Sequence, residues 1–345
     1  MPKISVVVTV WNLEDYIVQA LESLESQTTP PFEVLIIDDG SIDSSKELIK
    51  RFTSRNKNWF LFPLTHNGVS FARNFALSKV QGDYVLFLDG DDFYQFNILE
   101  RLSSSLDQRP DIVAFRCFEL DDFSQRLSEA NWTIKTKLGK EKFKRSILYS
   151  FVGWPWDKLF KVSFLRKHNL YFPTLENSED LLFVYPALFL SGTTLVVDEY
   201  LITHRMNRNS SLSNSIEKSQ DAFYSAILQL EEFLKNNNFW RDNQQCFQEW
   251  SIDLTFWATK NQKIAFDVLK NRYPKIDWQL KSTDYSFFHY QRFLLKVAEL
   301  TQCSGFIWFL SYNLYKCRKF GLKRTIFLIL ISLSRKIGKA FPIFK

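Results

Sequence analysis

The sequence predicts an α/β fold: a doubly wound, largely parallel sheet covered by helices, with a helical region after it. Three observations predict this. Over residues 1–115, β-rich runs alternate with amphipathic helical runs through short connections, the pattern of strand, crossover helix, strand. The 345 residues exceed a single core of ~100 to 200 residues, so one large domain plus a smaller annex is expected. The composition is 46% hydrophobic and 24% charged with only 10 Gly and 10 Pro, which excludes a disordered or collagen-like chain. The surplus of 34 Phe reads mostly as core filling.

Taken in order, Ile4 to Val10 is a buried first strand; Trp11 and Asn12 come next with no small-residue cleavage site, so it does not read as a signal peptide. Further strands are expected at Glu33 to Ile37, Trp59 to Pro63, Tyr84 to Leu88 and Ile112 to Phe115. Helices fill the gaps. Asp15 to Ser26 presents Ile17, Ala20, Leu21 and Leu24 on one face, Asp43 to Thr53 presents Leu48, Ile49 and Phe52, and Ser70 to Val80 presents Ala72, Phe75, Ala76 and Val80. From Phe118 to about Asn214 the texture changes to polar loops, an aromatic stretch at Phe151 to Phe160 and a helix near Asp180 to Leu190. Two separate strands are expected at Thr194 to Val197 and Leu201 to Thr203. Beyond Ile216 the pattern is helical, with Phe223, Ile227, Leu230, Phe233 and Leu234 on one stripe, and a domain boundary is placed there. No repeat is visible.

In such a sheet, ligands bind outside the carboxyl ends of the strands, so the residues just past each strand carry the chemistry. The first turn lacks the glycines of a dinucleotide fingerprint, and no P-loop is present. After the fourth strand comes Asp89-Gly90-Asp91-Asp92. Three carboxylates within four residues repel one another unless solvent or a cation neutralises them. Hard oxygen ligands select Mg²⁺ or Mn²⁺, and few protein ligands leave room for substrate phosphates. The alternative is a solvated turn of acids at a helix start. Asp38-Asp39-Gly40-Ser41 offers a second carboxylate pair, able to accept hydrogen bonds from a base or ribose or to serve as turn and cap chemistry. Asn67-Gly68 followed by Ala72-Arg73-Asn74 places an Arg on a first helical turn, a partner for an anion or a surface cation.

In this order and spacing the clusters resemble the inverting family 2 glycosyltransferases of GT-A fold. The matching stretches are Ile4 to Asn12, Ile36 to Ser41, Asn67-Gly68 with Ala72-Arg73-Asn74, Gly82 to Asp92, Trp156-Asp157-Lys158-Leu159-Phe160 and Ser178 to Phe183, covering roughly residues 1–210. The resemblance implies a Rossmann-like mixed sheet as catalytic domain over 1–215, split into a nucleotide-sugar-binding half (1–115) and an acceptor-binding half (116–215). A helical region (216–300) and a tail (301–345) come after it. It implies a nucleotide-sugar donor, favouring UDP, held by Thr9, Val10, Asn12, Asp39, Arg73, Asp89 and Asp91. Mn²⁺ or Mg²⁺ would sit on Asp91 with Asp89 and Asp92. Asp180 would be the general base that a hydroxyl nucleophile needs, with Glu179 positioning it. Trp154 and Trp156 would face the acceptor, a surface polysaccharide or lipid-linked glycan, or else pack the core. His204 to Ser211 resembles the family's lid, with Arg205 or His204 reaching the diphosphate; His204 stands where the family more often has an aromatic.

Charge is unevenly spread. The net +6 arises in the tail, where residues 300–345 hold nine Lys or Arg and no Asp or Glu, leaving 35 basic against 38 acidic side chains before it. A mildly acidic body argues against nucleic acid as a partner. The tail's apolar runs Gly305 to Leu310 and Thr325 to Ser334 are shorter than the ~20 residues of a spanning helix. Flanked by Lys316, Arg318, Lys319, Lys323, Arg324, Arg335, Lys336 and Lys339, they suit a helix lying on an anionic membrane surface, or packing on the body or on a second copy in a homodimer. A cytoplasmic, peripheral place on the inner face of the cell membrane is expected. Cys117, Cys246, Cys303 and Cys317 show no CxxC pair, as free thiols in a reducing compartment would. The competing functions are a non-catalytic glycan- or nucleotide-binding scaffold, expected to lack one of the acids, and a nucleotidyltransferase, expected to carry a Gly-rich basic loop after the first strand.

Overall fold

A computed structural model describes residues 2–131, 133–134, 147–208 and 220–259. The chain divides into two compact units, Met1–Ser251 and Ile252–Lys345, and the sheet belongs to the first. Its strands are β1 (Ile4–Val10), β2 (Glu33–Asp38), β3 (Trp59–Pro63), β4 (Tyr84–Asp89), β5 (Phe93–Tyr94), β6 (Ile112–Asp121), β7 (Arg126–Glu129), β8 (Lys158–Lys161) and β9 (Thr194–Met206). The helices are α1 (Ile17–Glu25), α2 (Ser45–Thr53), α3 (Val69–Lys79), α4 (Ile98–Ser103), α5 (Ile147–Ser150), α6 (Val162–Lys167), α7 (Glu179–Leu190), α8 (Gln220–Asn236) and α9 (Trp240–Thr259).

The strands make one sheet in the order β3-β2-β1-β4-β8-β6-β9-β5, with β7 paired to β6. β3, β2, β1 and β4 are parallel, as the strand and helix alternation requires. β8 inserts antiparallel between β4 and β6, which makes the sheet mixed. β1 is buried on both faces, the mark of a central strand under two helical layers. Val6, Val8 and Val10 join the core with Ile17, Leu21 and Leu24 of α1 and Ile49 and Phe52 of α2. A second core of aromatic rings, Phe87, Phe160, Phe172 and Phe183, packs edge to face or stacked at 3.9 to 6.1 Å.

The two strands expected at 194–197 and 201–203 are one continuous strand, β9, parallel to β6. The Asp198-Glu199 interruption in the apolar pattern is absorbed by register shifts at Phe115 to Cys117, a bulge rather than a turn. β5 and β8 are too short, and β7 too polar and exposed, to show as apolar alternation. The tail expected to lie on a membrane and most of the 216–300 region, with Cys303 and Cys317, lie outside the described residues. Cys117 and Cys246 form no disulfide among the described residues. Among those residues no helix is long and apolar enough to cross a membrane.

Candidate active site

The parallel strands end at one edge, and their loops are latched there by exchanged hydrogen bonds. Asn12, in a left-handed conformation at φ 51°, accepts the Ile42 N–H at its side chain and donates its own N–H to Ser41 Oγ at 2.9 Å. The Leu13 N–H donates to Ser45 Oγ and the Glu14 N–H to Asp43 Oδ2. Val10 takes part through its carbonyl, which accepts from the Asp39 N–H at 2.8 Å. Asp39 is buried and gathers the loop after β3: its two carboxylate oxygens accept from the N–H groups of Asn67 and Gly68, both at 2.9 Å. Gly40 is required twice over, with φ at 76° and a Cβ that would lie 2.8 Å from the His66 nitrogen. His66 Nδ1 lies 2.8 Å from Asp39 Oδ2, and its ring stacks on Trp11 at 4.4 Å.

The acidic turn after β4 splits its three carboxylates among different partners. Asp89 Oδ1 accepts from Thr9 Oγ1 at 3.2 Å and from Arg73 Nη2 at 2.8 Å. Burial works to raise the proton affinity of Asp89, but Arg73, and after it His204 and Thr9, hold its carboxyl below the ordinary value. Asp92 is fully buried and accepts from the Arg205 N–H at 2.8 Å, with His204 Nδ1 at 2.9 Å from its other oxygen. Burial alone would lower the pKa of His204; the Asp92 carboxylate reverses that and pushes it up to about 9. Asp91 faces Arg208 at 2.9 Å. Burial and then the neighbouring Asp92 push Asp91 up to about 7, against Arg208.

Arg73 is the hub that joins this turn to α7. Its Nη1 donates to Asp180 Oδ1 at 2.6 Å and to Glu179 Oε1 at 3.1 Å, while Nη2 holds Asp89. The guanidinium is buried 5.1 Å over the Phe172 ring, so the aromatic core sets its position. Desolvation opposes its charge, yet Asp180, Asp89 and Glu179 together raise its pKa above even the usual arginine value. Burial pushes the Asp180 carboxyl well above the aspartate range; Arg73 opposes this, and Glu179 and Asp89 add to it. Ser178 does not cap α7 in the ordinary way: it sits at φ 62° and its hydroxyl turns to Asn177.

The other wall is aromatic. Trp154, Trp156 and His204 form a stack, with Trp156 5.2 Å from Trp154 and 4.8 Å from His204. Trp156 is buried in the main core, whereas Trp154 is partly exposed. Behind them the fully buried Lys158 ammonium donates to the carbonyls of Val152 and Trp154, both at 2.9 Å, and to Asp157. Asp157 Oδ2 finds no hydrogen-bond partner among the described residues. Burial lifts the Asp157 carboxyl to about 6 and depresses Lys158.

Thr9, Arg73, Asp89, Glu179 and Asp180 are thus directly connected, with Asp91 and Asp92 on the same turn. Arg205 is directed elsewhere: its guanidinium donates to Asp122, Gln19 and the Asp91 carbonyl and lies 4.9 Å over Tyr16. Among the described residues no three Asp, Glu, His or Cys side chains close into a cation cage. Each acid of the turn has a cationic partner, Asp89 with Arg73, Asp92 with His204 and Asp91 with Arg208; a Mg²⁺ or Mn²⁺ ion of the kind that takes one carboxylate and completes its shell with phosphate oxygens and water would fit Asp91 in exchange for Arg208. Sequence reasoning missed Arg208, Tyr16, His66 and the Lys158 staple. Arg208 stands three residues past Arg205 with the same side chain, which was the available signal.

Residues 5–167 match the sequence family described as Glycosyl transferase family 2. EpsH of Bacillus subtilis (strain 168), described as a putative glycosyltransferase, is 25% identical over 285 residues, 78% of this chain and 82% of that protein. TarS of Staphylococcus aureus (strain Mu50 / ATCC 700699), a poly(ribitol-phosphate) beta-N-acetylglucosaminyltransferase, is 27% identical over 233 residues, 66% of this chain but 39% of its own length. The crystal structure of S. aureus TarS 1-349 in complex with UDP-GlcNAc superposes with a TM-score of 0.58 at 24% identity, over 77% of this chain and 83% of that one. The mannosyltransferase PcManGT from Pyrobaculum calidifontis, in complex with GDP-Man and Mn²⁺, shares the fold with a TM-score of 0.52 at 14% identity, over 90% and 83%. Residues 5–167, which carry the parallel strands and the acidic turn, thus form a glycosyltransferase family 2 domain, and the chain is a glycosyltransferase of GT-A fold.

Proposed function

We propose that this glycosyltransferase is metal-dependent and inverting, and moves a hexosyl or N-acetylhexosaminyl group from a UDP donor to a hydroxyl of a surface-polysaccharide or lipid-linked glycan. The observation that carries the reading is Arg73, which binds Asp89 on the donor side and Asp180 on the acceptor side with one guanidinium. The site therefore holds a donor turn and a base within the span of one side chain, as a single displacement at the anomeric carbon needs. The UDP-GlcNAc complex of TarS and the Mn²⁺ complex of PcManGT support the donor class and the ion.

Asp39, Thr9, Asn12 and the Val10 carbonyl line the nucleotide end of the strands, and Asp91 offers a carboxylate to the cation. When bound, a divalent ion neutralises charge building on the leaving diphosphate. Asp180 Oδ1 is tied to Arg73, which leaves Oδ2 to accept the acceptor hydroxyl's proton as the new glycosidic bond forms. Its raised proton affinity makes it a stronger base than an ordinary aspartate. Glu179 keeps Arg73 in place, and Trp154 is the ring at hand for a sugar face. The basic tail supports a peripheral position on an anionic membrane beside a lipid-linked acceptor. Asp180→Asn should bind UDP like the parent but lose transfer by about 10² to 10⁴; a turnover assay paired with UDP calorimetry checks this, and near-normal transfer refutes the role.

A further inference from the structure

Arg208 is a charged residue with no part in the displacement itself. It comes after Asn207, whose left-handed φ of 62° and side-chain bond to Asp121 turn the chain back at the end of β9. That turn brings the Arg208 Nε within 2.9 Å of Asp91 Oδ2, with the guanidinium 5.4 Å over the Tyr16 ring. Both side chains are mostly buried, at 12% and 15% exposure, so water screens the pair poorly. The neighbouring carboxylates already have other partners: Asp89 has Arg73 and Asp92 has His204. Arg208 is thus the side-chain cation paired with Asp91, the acid that suits the divalent ion. Tyr16 itself is fixed, because its hydroxyl donates to Asp122, which also holds Arg205.

We propose that Arg208 is a donor-binding residue that works by exchange: it neutralises Asp91 until the cation arrives, and then, displaced from Asp91 but still seated beside Tyr16, it pairs with the donor's diphosphate. The proposal rests on the reading of Asp91 as the metal-binding carboxylate. A guanidinium and a divalent cation cannot share one carboxylate oxygen closely without repulsion, so the two compete. Once the diphosphate's negative charge enters, the same guanidinium attracts the donor instead. Removing Arg208 therefore has opposite effects on the two ligands, an outcome that loss of packing alone does not produce.

The test is Mn²⁺ binding to the full-length protein without nucleotide, followed by electron paramagnetic resonance of free Mn²⁺, and UDP binding in saturating Mn²⁺, followed by calorimetry. Arg208→Gln should tighten Mn²⁺ by about tenfold and weaken UDP by about tenfold. Arg208→Lys, which keeps the charge, should stay within about threefold of the parent for both. Unchanged or weaker Mn²⁺ binding by Arg208→Gln, or unchanged UDP binding, overturns the exchange. Asp91→Asn separates the underlying reading: Mn²⁺ affinity equal to that of the parent refutes the metal assignment itself, whereas loss of Mn²⁺ with no tightening in Arg208→Gln refutes only the role of Arg208.

Discussion

Arg73 shows how one residue can serve both halves of a site and why its role was only half legible. The sequence places an Arg on the first turn of a helix beside the strand ends, and an anionic partner is expected from that. That the anions are the protein's own Asp89, Glu179 and Asp180, two of them more than a hundred positions away, emerges only from the packing of α7, whose Phe183 ring stacks on Phe172. The acidic turn was legible because consecutive carboxylates demand neutralisation; how Asp89, Asp91 and Asp92 divide among Arg73, Arg208 and His204 was not. A base works in its ionised form, so a proton affinity raised by burial puts the acid limb of the pH–rate profile above the ordinary aspartate range. Arg73 opposes that rise. Arg73→Gln should therefore move the limb to still higher pH and destabilise the fold by about 3–5 kcal/mol through stranded carboxylates, as read by pH-dependent turnover and by denaturant titration. A limb that moves to lower pH, or stays put, counters the assignment of Asp180.

At the scale of elements, the strands proposed to carry the donor side were legible because β1, β2 and β4 are buried on both faces and read as largely apolar runs. The acceptor side was less so. β8 has four residues in a stretch rich in Trp, and it is defined as much by Lys158 beneath the 152–156 loop as by its ladder. Gly153 belongs to the same joint: a Cβ there would lie 2.5 Å from Leu181 Cδ2 and 2.9 Å from Tyr185 Cε2, so any other residue would require these α7 side chains to shift. Lys158→Met leaves Asp157 buried without its counter-charge, and a loss of about 3–5 kcal/mol is expected from thermal or urea unfolding. A change below about 1 kcal/mol shows the pair to be dispensable.

For the whole molecule, the uneven charge is the feature that the sequence states most plainly: an acidic body followed by a wholly basic tail from residue 300. A chain ending at Ser304 should retain donor turnover and lose binding to anionic liposomes in a flotation assay, whereas undiminished flotation removes the tail from the membrane reading. In the proposed mechanism the body's function rests on one sheet edge, where β1, the turn after β2 and the end of β4 carry Thr9, Asp39 and Asp89 while α7 carries Asp180. Its most direct test is turnover of a panel of nucleotide sugars with and without Mn²⁺, the parent run beside Asp91→Ala. Mn²⁺-dependent release of the nucleoside diphosphate that Asp91→Ala reduces by at least about 10² is the predicted result; a variant as active as the parent, or a parent indifferent to every donor and divalent salt, contradicts this mechanism.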